Sequence, residues 1–126
     1  MQTLLEMDVD GSFEIELNGK QVACRVVMKT VYDDCYSADS EDFENEMQKA
    51  RHIQKLESGD LVPVGVIVTA LALGCEGSDS LWAVVTSGEY TAQNAMEDHG
   101  MTENALDDLK KNIQAQIDAL KPYMAA

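Results

Sequence analysis

An alternation of apolar and polar side chains near the N-terminus constrains the fold more than any other feature of the chain. From Leu5 to Leu17 every odd-numbered position except Gly11 is apolar, and every even-numbered position is polar. A period of two is the period of a β-strand with one buried face. Asn18-Gly19 follows directly, and this dipeptide is the strongest short signal for a two-residue hairpin turn. The sequence therefore predicts an N-terminal antiparallel hairpin.

The hairpin predicts a register in which apolar residues face apolar residues. The pairs expected on the apolar face are Ile15 with Val22, Phe13 with Cys24, and Val9 with Met28. Those expected on the wet face are Glu16 with Gln21, Glu14 with Ala23, and Ser12 with Arg25. A turn at Asp10-Gly11 would instead pair apolar with polar residues, which a one-sided sheet does not tolerate. Gly11 is therefore predicted to be a bend or bulge within one long strand.

Asp8, Asp10 and Gly11 also match part of a calcium-binding EF-hand loop. Such a loop needs a bidentate glutamate at its twelfth position and a helix on each side. Aligning Gly11 with the turn glycine of the loop puts Leu17 at the twelfth position, and the flanking residues have the period of a strand. We therefore expect no metal site here, and the acidic residues are predicted to decorate the wet face of a sheet.

The remainder of the chain predicts helices and further strands. A narrow apolar stripe predicts a helix from about Ser40 to Ser58, capped by Asp39 or Ser40 and ended by Gly59. The stripe consists of Phe43, Met47, Ala50, Ile53 and Leu56. Residues 61–73 are apolar on both faces, as expected of a central strand that is covered on both sides, or covered once and used in an interface.

A loop, GCEGSDS (residues 74–80), then leads to a strand at 81–86, a short helix at 89–99, and a long helix capped by Thr102 and interrupted by Pro122. The predicted fold is a single α+β domain over residues 1–126. In it an antiparallel sheet of about four strands packs against two or three helices in the order ββαββαα.

Charge limits the classes of partner. The chain has 23 Asp and Glu against 9 Lys and Arg, a formal net charge of −14. Such a charge repels nucleic acids and anionic membranes and attracts basic partners, so direct nucleic-acid binding and membrane binding are not expected. Between Leu56 and Leu109 there are ten carboxylates and no Lys or Arg. A halophilic protein would have a similar excess of acidic residues. However, the chain has seven lysines and only two arginines, and it also has seven methionines, which suits a halophilic composition poorly.

Residues with catalytic chemistry do not form a recognisable motif. Asp33-Asp34 lies in a polar loop without visible burial, His52 and His99 have ordinary structural roles on helices, and no local pattern couples either histidine to Cys35. The GCEGSDS loop is acidic and lies between strands, unlike a phosphate cradle. An odd number of cysteines, three, without metal spacing, a leader or a membrane-spanning run predicts a reduced, cytoplasmic protein. We expect no catalytic residue, no cofactor and no metal.

Two dense acidic tracts remain as the candidate partner-binding residues. Tract 1 consists of Asp33, Asp34, Asp39, Glu41, Asp42, Glu44 and Glu46. Tract 2 consists of Glu97, Asp98, Glu103, Asp107 and Asp108. Each carboxylate would imitate a phosphate and dock on a basic protein surface, with exposed aromatic residues such as Tyr32, Tyr36 or Trp82 adding contact. Phage and mobile-element inhibitors of CRISPR or restriction complexes are similar in size and charge.

Two other interpretations stay open at this point. Charge runs are most often simply solvated surface. The chain is also compatible with a structural or assembly subunit, such as a homodimer, that self-associates through the apolar strand near Val66 to Leu73 and the Leu/Ile stripe of the last helix.

Overall fold

A computed structural model describes residues 2–124 of the chain. The strands are β1 (Thr3–Asp8), β2 (Phe13–Leu17), β3 (Lys20–Tyr32), β4 (Val62–Ala72) and β5 (Cys75–Thr86). The α-helices are α1 (Glu46–Ser58), α2 (Ala92–Asp98) and α3 (Met101–Leu120), with short 3₁₀ turns at Ala38–Ser40 and Lys121–Tyr123. The α+β class and the predicted order are confirmed, with the first long strand split into β1 and β2.

The hairpin forms at the predicted turn, since Asn18 and Gly19 both have positive φ angles, 52° and 79°. Its register places Ile15 opposite Val22 and Phe13 opposite Cys24, as predicted. The register changes at the bend around Gly11, where φ is 133°. Met7, rather than Val9, lies opposite Met28.

The predicted pair Val9 with Met28 is therefore wrong, whereas Ser12 precedes the paired residues of β2, which begin with Phe13 opposite Cys24. The bend shifts β1 by two residues relative to β2. Because two is the period of a strand, the shift leaves Met7 and Val9 on the apolar face.

All strand pairs in the sheet are antiparallel, in the order β1-β3-β4-β5, and β2 also pairs with β3. Helices α2 and α3 pack against one face of this sheet. The approach is closest at Gly77, where an added Cβ would lie 2.0 Å from the backbone nitrogen of Leu109. Only glycine lets α3 lie this close to β5.

The core lies between α3 and the even-numbered side chains of β4. Val66, Val68 and Ala70 are fully buried there, and so are Ala105 and Leu109 of α3. The opposite face of β4 carries Ile67, Thr69 and Leu71, which are only half-buried. Strand β4, which the sequence shows to be apolar on both faces, is thus covered by helices on one face.

Three local predictions are wrong. Helix α1 begins at Glu46 with Asn45 as its N-cap, so Glu41, Asp42 and Glu44 precede it, and Ser37 caps the separate 3₁₀ turn. The GCEGSDS segment is not a loop, because β5 begins at Cys75. Helix α3 begins at Met101 with Gly100 as its N-cap, so Thr102 is inside the helix.

The predicted apolar stripe of α1 does not enter the core. None of the residues of α1 is buried, and Met47 is 64% exposed. The helix packs mainly against the preceding 3₁₀ turn. Gly59 ends α1 in the left-handed conformation, as predicted.

Candidate functional site

A bulge in β5 creates the most distinctive surface feature of the described chain. The pairing between β4 and β5 shifts between Val64 and Val66, so that Trp82 and Ala83 together lie opposite Gly65. Ala83 has a φ angle of 58°, which is uncommon for a residue with a side chain. Bulges of this kind change the direction of a side chain at a sheet edge. Here the bulge directs Trp82 towards the loop that follows β3.

A groove of about 660 Å³ lies between this bulge and the loop. Its lining residues are Asp33, Asp34, Cys35, Tyr36, Ser40, Trp82 and Ala83. The sequence predicted Tyr36 and Trp82 as contact residues but gave no indication that they share one groove. Residues so far apart in the chain, separated by α1 and β4, are brought together only by the antiparallel order of the sheet.

Gly65 provides the surface on which Trp82 rests. A Cβ added to Gly65 would come within 2.3 Å of Cζ3 of the indole and within 2.9 Å of two neighbouring ring carbons. The six-membered ring of Trp82 therefore lies directly on the β4 backbone. The side chain nevertheless remains 42% exposed. Trp82 is thus a fixed aromatic surface, which loses little side-chain entropy on contact with a partner.

Asp33 is a structural residue and not the surface charge that the sequence predicted. Its side chain is buried, at 7% exposure. Oδ1 accepts a hydrogen bond from the backbone N–H of Cys35 (3.0 Å), and Oδ2 accepts one from the N–H of Ala83 (2.8 Å). The carboxylate thus connects the loop to the β5 bulge. Because a phosphate surrogate must lie at the surface, Asp33 does not serve as one.

Tyr36 connects the groove to α1. Its hydroxyl oxygen lies 2.7 Å from Nε2 of His52 and 3.4 Å from Oε1 of Glu41. The imidazole of His52 also contacts the ring of Phe43, with 5.1 Å between centroids. Burial raises the pKa of Tyr36 to about 12, and the neighbouring Glu41 carboxylate adds to the increase. His52, for which the sequence predicted an ordinary structural role on a helix, is therefore part of the contact that holds α1.

The rest of tract 1 is exposed. Asp34, Asp39, Glu41, Asp42, Glu44 and Glu46 all lie at the surface. Asp39 forms an ion pair with Nζ of Lys49 at 2.7 Å. This hydrogen bond lowers the pKa of the Asp39 carboxyl, and the charge of Lys49 adds to the effect. Among the exposed acids of this tract within residues 2–124, Asp39 is thus the one that forms an ion pair, and the charge of Glu46 also acts on Lys49.

Tract 2 lies along α2 and the first half of α3. Glu97, Asp98, Glu103 and Asp107 are exposed, and Asp98 accepts a hydrogen bond from the Tyr90 hydroxyl at 3.2 Å. Asp108 is half-buried and accepts a hydrogen bond from the backbone N–H of Ser78 at 2.9 Å. Asp108 therefore provides an acceptor for a backbone N–H group of the edge strand β5. The sequence alone did not indicate this contact. Lys110 and Lys111 follow, and with Asp107 they line a shared depression that limits the tract at this end.

Residues Trp82 and Ala83 line two depressions of the surface. They line the groove with Asp34 of tract 1, and they also line a second depression with Tyr90 and His99 of the α2 region. Tyr90 is the residue that contacts Asp98. Asp34 of tract 1 thus lines the groove at this segment of β5, and tract 2 is connected to the segment through the Tyr90–Asp98 hydrogen bond.

Other chemistry has little structural basis in the described chain. Among residues 2–124 no group of three or more His, Cys, Asp or Glu side chains is arranged to hold a metal ion. Cys35 is exposed at the groove, and the hydrogen-bond partner of His52 is Tyr36 rather than this thiol. No α-helix in the part of the chain that the structure describes has the length and apolar character needed to cross a membrane.

No family model, no curated protein and no solved structure matches this chain.

Proposed function

We propose that this chain is a small acidic binding protein without enzymatic activity. In this proposal its carboxylates imitate the charge of a nucleic-acid backbone and occupy a basic surface of another protein. The partner would be a nucleic-acid-binding complex of a host defence system. The chain would then be an inhibitor of the anti-CRISPR or anti-restriction type, carried by a phage or mobile element and acting in the cytoplasm.

The observation that carries this proposal is the shortage of basic partners for the acidic residues within residues 2–124. Of the twelve acids in the two tracts, Asp33 and Asp108 hold the backbone, which leaves ten at the surface. Within residues 2–124 the ion pairs are Arg25–Asp8, Lys49–Asp39 and Lys121–Asp118. Asp39 is thus the one tract acid with an ion-pair partner in that part of the chain. Uncompensated surface charge lowers the stability of a compact state, so local stability does not account for this arrangement.

The position of the tracts gives further support. Asp34 of tract 1 lines the groove beside Trp82, and Tyr90, which donates a hydrogen bond to Asp98 of tract 2, lines the second depression at this segment. A nucleic-acid-binding protein presents rows of Lys and Arg at intervals that match phosphates. The tract 2 carboxylates lie on α2 and α3, which pack against the sheet, so they can engage such rows with little reorganisation.

Charge reversal in the tracts tests the proposal. Partner capture from cells of the native host should be lost when Glu41, Asp42 and Glu44 are changed to lysine, because the change replaces attraction with repulsion. The matched control changes Glu6, Glu14 and Glu16, which are exposed on strands β1 and β2 outside both tracts, to lysine. Both variants change the net charge equally, so total charge alone predicts the same result for both.

Competition with duplex DNA provides the second readout. Added DNA should displace the captured partner, since mimicry requires both to bind the same basic groove. Capture that survives the tract reversal, or that DNA leaves unchanged, would show that the acids only keep the protein in solution.

Self-association is the alternative, and the second face of the sheet favours it. Ile67 and Leu71 of β4 are half-buried on the side away from α2 and α3, and Leu73 beyond them is 68% exposed. In contrast, Leu109 and Ile113 of the α3 stripe are already used inside the molecule. Light scattering at low and high salt separates the two functions, because an apolar interface between copies would persist at high salt.

A further inference from the structure

We propose that the groove beside Trp82 receives an arginine side chain of the basic partner. This inference rests on the proposed function and names the contact at its centre. It concerns a defined concave site with an aromatic wall, whereas the tracts are extended surfaces.

The shape and composition of the groove define the ligand chemistry. Its volume, about 660 Å³, exceeds the space that one side chain needs, and its lining includes the aromatic rings of Tyr36 and Trp82. A ligand that fits must therefore cover apolar surface. Arg and Lys both do this with their aliphatic stems while the charged end remains at the opening.

The charge of the groove selects a cation. Asp34 is exposed at the lining, and the described residues of the groove include no Lys or Arg. Asp33 lies beneath with both carboxylate oxygens engaged by backbone N–H groups, so its negative charge adds to the local field without competing for a direct contact. An anionic ligand would be repelled by these groups, and a neutral ligand would gain less from them than a cation.

Arginine fits better than lysine because of Trp82. The indole is fixed on Gly65 and 42% exposed, so it presents a preorganised aromatic surface. A planar guanidinium stacks on such a surface and can bond a carboxylate through two N–H groups at once. An ammonium is more strongly hydrated and pairs as a point charge, so it loses more on entering an apolar groove.

The single tryptophan of the chain makes the proposal measurable without the natural partner. Titration with hexaarginine, hexalysine and hexacitrulline should change the Trp82 emission most strongly for hexaarginine. The citrulline peptide keeps the shape of the arginine side chain without its charge. We expect hexaarginine to bind about threefold more tightly than hexalysine, and hexacitrulline to bind at least about tenfold more weakly.

Variants locate the binding in the groove, with anisotropy of labelled hexaarginine as the readout. Asp34→Asn should weaken binding about fivefold, while the matched control Asp42→Asn, an equal charge loss in the same tract outside the groove, should have a smaller effect. Trp82→Ala should weaken binding about tenfold, and Trp82→Phe less. If circular dichroism shows that Trp82→Ala does not fold, the proposal is tested by the comparison of Asp34→Asn with Asp42→Asn and by the emission titration.

The proposal is overturned by equal affinity for hexaarginine and hexalysine, by an unchanged Trp82 emission, or by equal effects of Asp34→Asn and Asp42→Asn. If the Trp82 emission changes with protein concentration alone, the groove is occupied by a second copy of this chain. That result would also overturn the proposal. Loss of partner capture in the tract variant together with a negative peptide result would reject the arginine site and leave the proposed function standing. Partner capture that survives in the tract variant, together with a positive peptide result, would reject the proposed function and leave the arginine site standing.

Discussion

Asp33 shows how a residue chosen for its charge can instead hold the scaffold. Its carboxylate accepts from the backbone N–H groups of Cys35 and Ala83, and the side chain is buried. Removing the acceptor leaves two donors without partners, which costs about 1–3 kcal/mol. We predict that Asp33→Ala lowers the free energy of unfolding by this amount, as measured by urea denaturation.

The neighbouring residue is the control for this prediction. Asp34 is exposed, so Asp34→Ala should change the free energy of unfolding by less than about 0.5 kcal/mol. Equal stability of the Asp33 and Asp34 variants would mean that the hydrogen bonds of Asp33 contribute little.

Gly77 is the point at which α3 lies closest to the sheet. An added Cβ would lie 2.0 Å from the nitrogen and 2.5 Å from the Cα of Leu109, which are backbone atoms of a helix and cannot move independently. Gly77→Ala should therefore lower the free energy of unfolding by about 3 kcal/mol. Gly88→Ala is the matched control, because a Cβ added there would have no neighbouring atom within 4 Å and the backbone is unstrained. Similar thermal denaturation of both variants would contradict the close packing.

Tyr36 predicts a loss of stability at alkaline pH. Its folded-state pKa is raised from the ordinary value of 10.0 to about 12, mainly by burial, so folding favours the neutral phenol. The resulting contribution to stability is complete below pH 10 and is lost as the pH rises through 12.

Urea denaturation at a series of pH values tests this prediction. The stability difference between the wild type and Tyr36→Phe should shrink across that range, because phenylalanine has no proton to lose. Ultraviolet absorbance of tyrosinate supplies the titration itself. A constant difference would show that Tyr36 ionises in the folded protein as readily as in the unfolded chain.

At the level of elements, the hairpin was predictable because its signals are local. The alternation from Leu5 to Leu17 and the Asn18-Gly19 turn fix the pairing of Ile15 with Val22 without information from elsewhere. The shift of the register beyond Gly11 was not predictable. Two extra residues at the bend keep the same side chains on the apolar face, so the alternation of apolar and polar residues does not reveal them.

Helix α1 and strand β5 show where local patterns fail. The spacing of Phe43 and Met47 extends a helical stripe beyond Asn45, but the side chain of Asn45 accepts from the N–H of Gln48 and begins the helix there. In β5, Gly77 lies within the segment predicted as a loop, and a glycine there is required by the approach of α3. Only the tertiary contact reveals this requirement.

The loose packing of α1 predicts fast local opening. None of its residues is buried, whereas Leu109 of α3 is fully buried and Ile113 nearly so. Regions with few buried apolar contacts open with less free energy. Amide hydrogen exchange should therefore be faster in α1 than in the middle of α3, and equal protection of both helices would contradict the described packing.

At the scale of the whole molecule, the excess of acids was visible in the sequence but its arrangement was not. Asp34 of tract 1 and Trp82 are separated in the chain by α1 and β4, yet they line one groove beside the edge strand β5. The groove depends on the same topology. Sequence patterns identify acidic and aromatic residues but not which of them share a surface.

The salt dependence of partner affinity tests charge mimicry most directly. The association constant for the captured partner should fall steeply as salt is added, because salt screens the attraction between the carboxylates and the basic surface, and the slope on logarithmic axes measures this dependence. The slope should be smaller when Glu97, Glu103 and Asp107 are changed to glutamine or asparagine. An affinity that is indifferent to salt, or a slope that this triple change leaves unaltered, would contradict the proposed function.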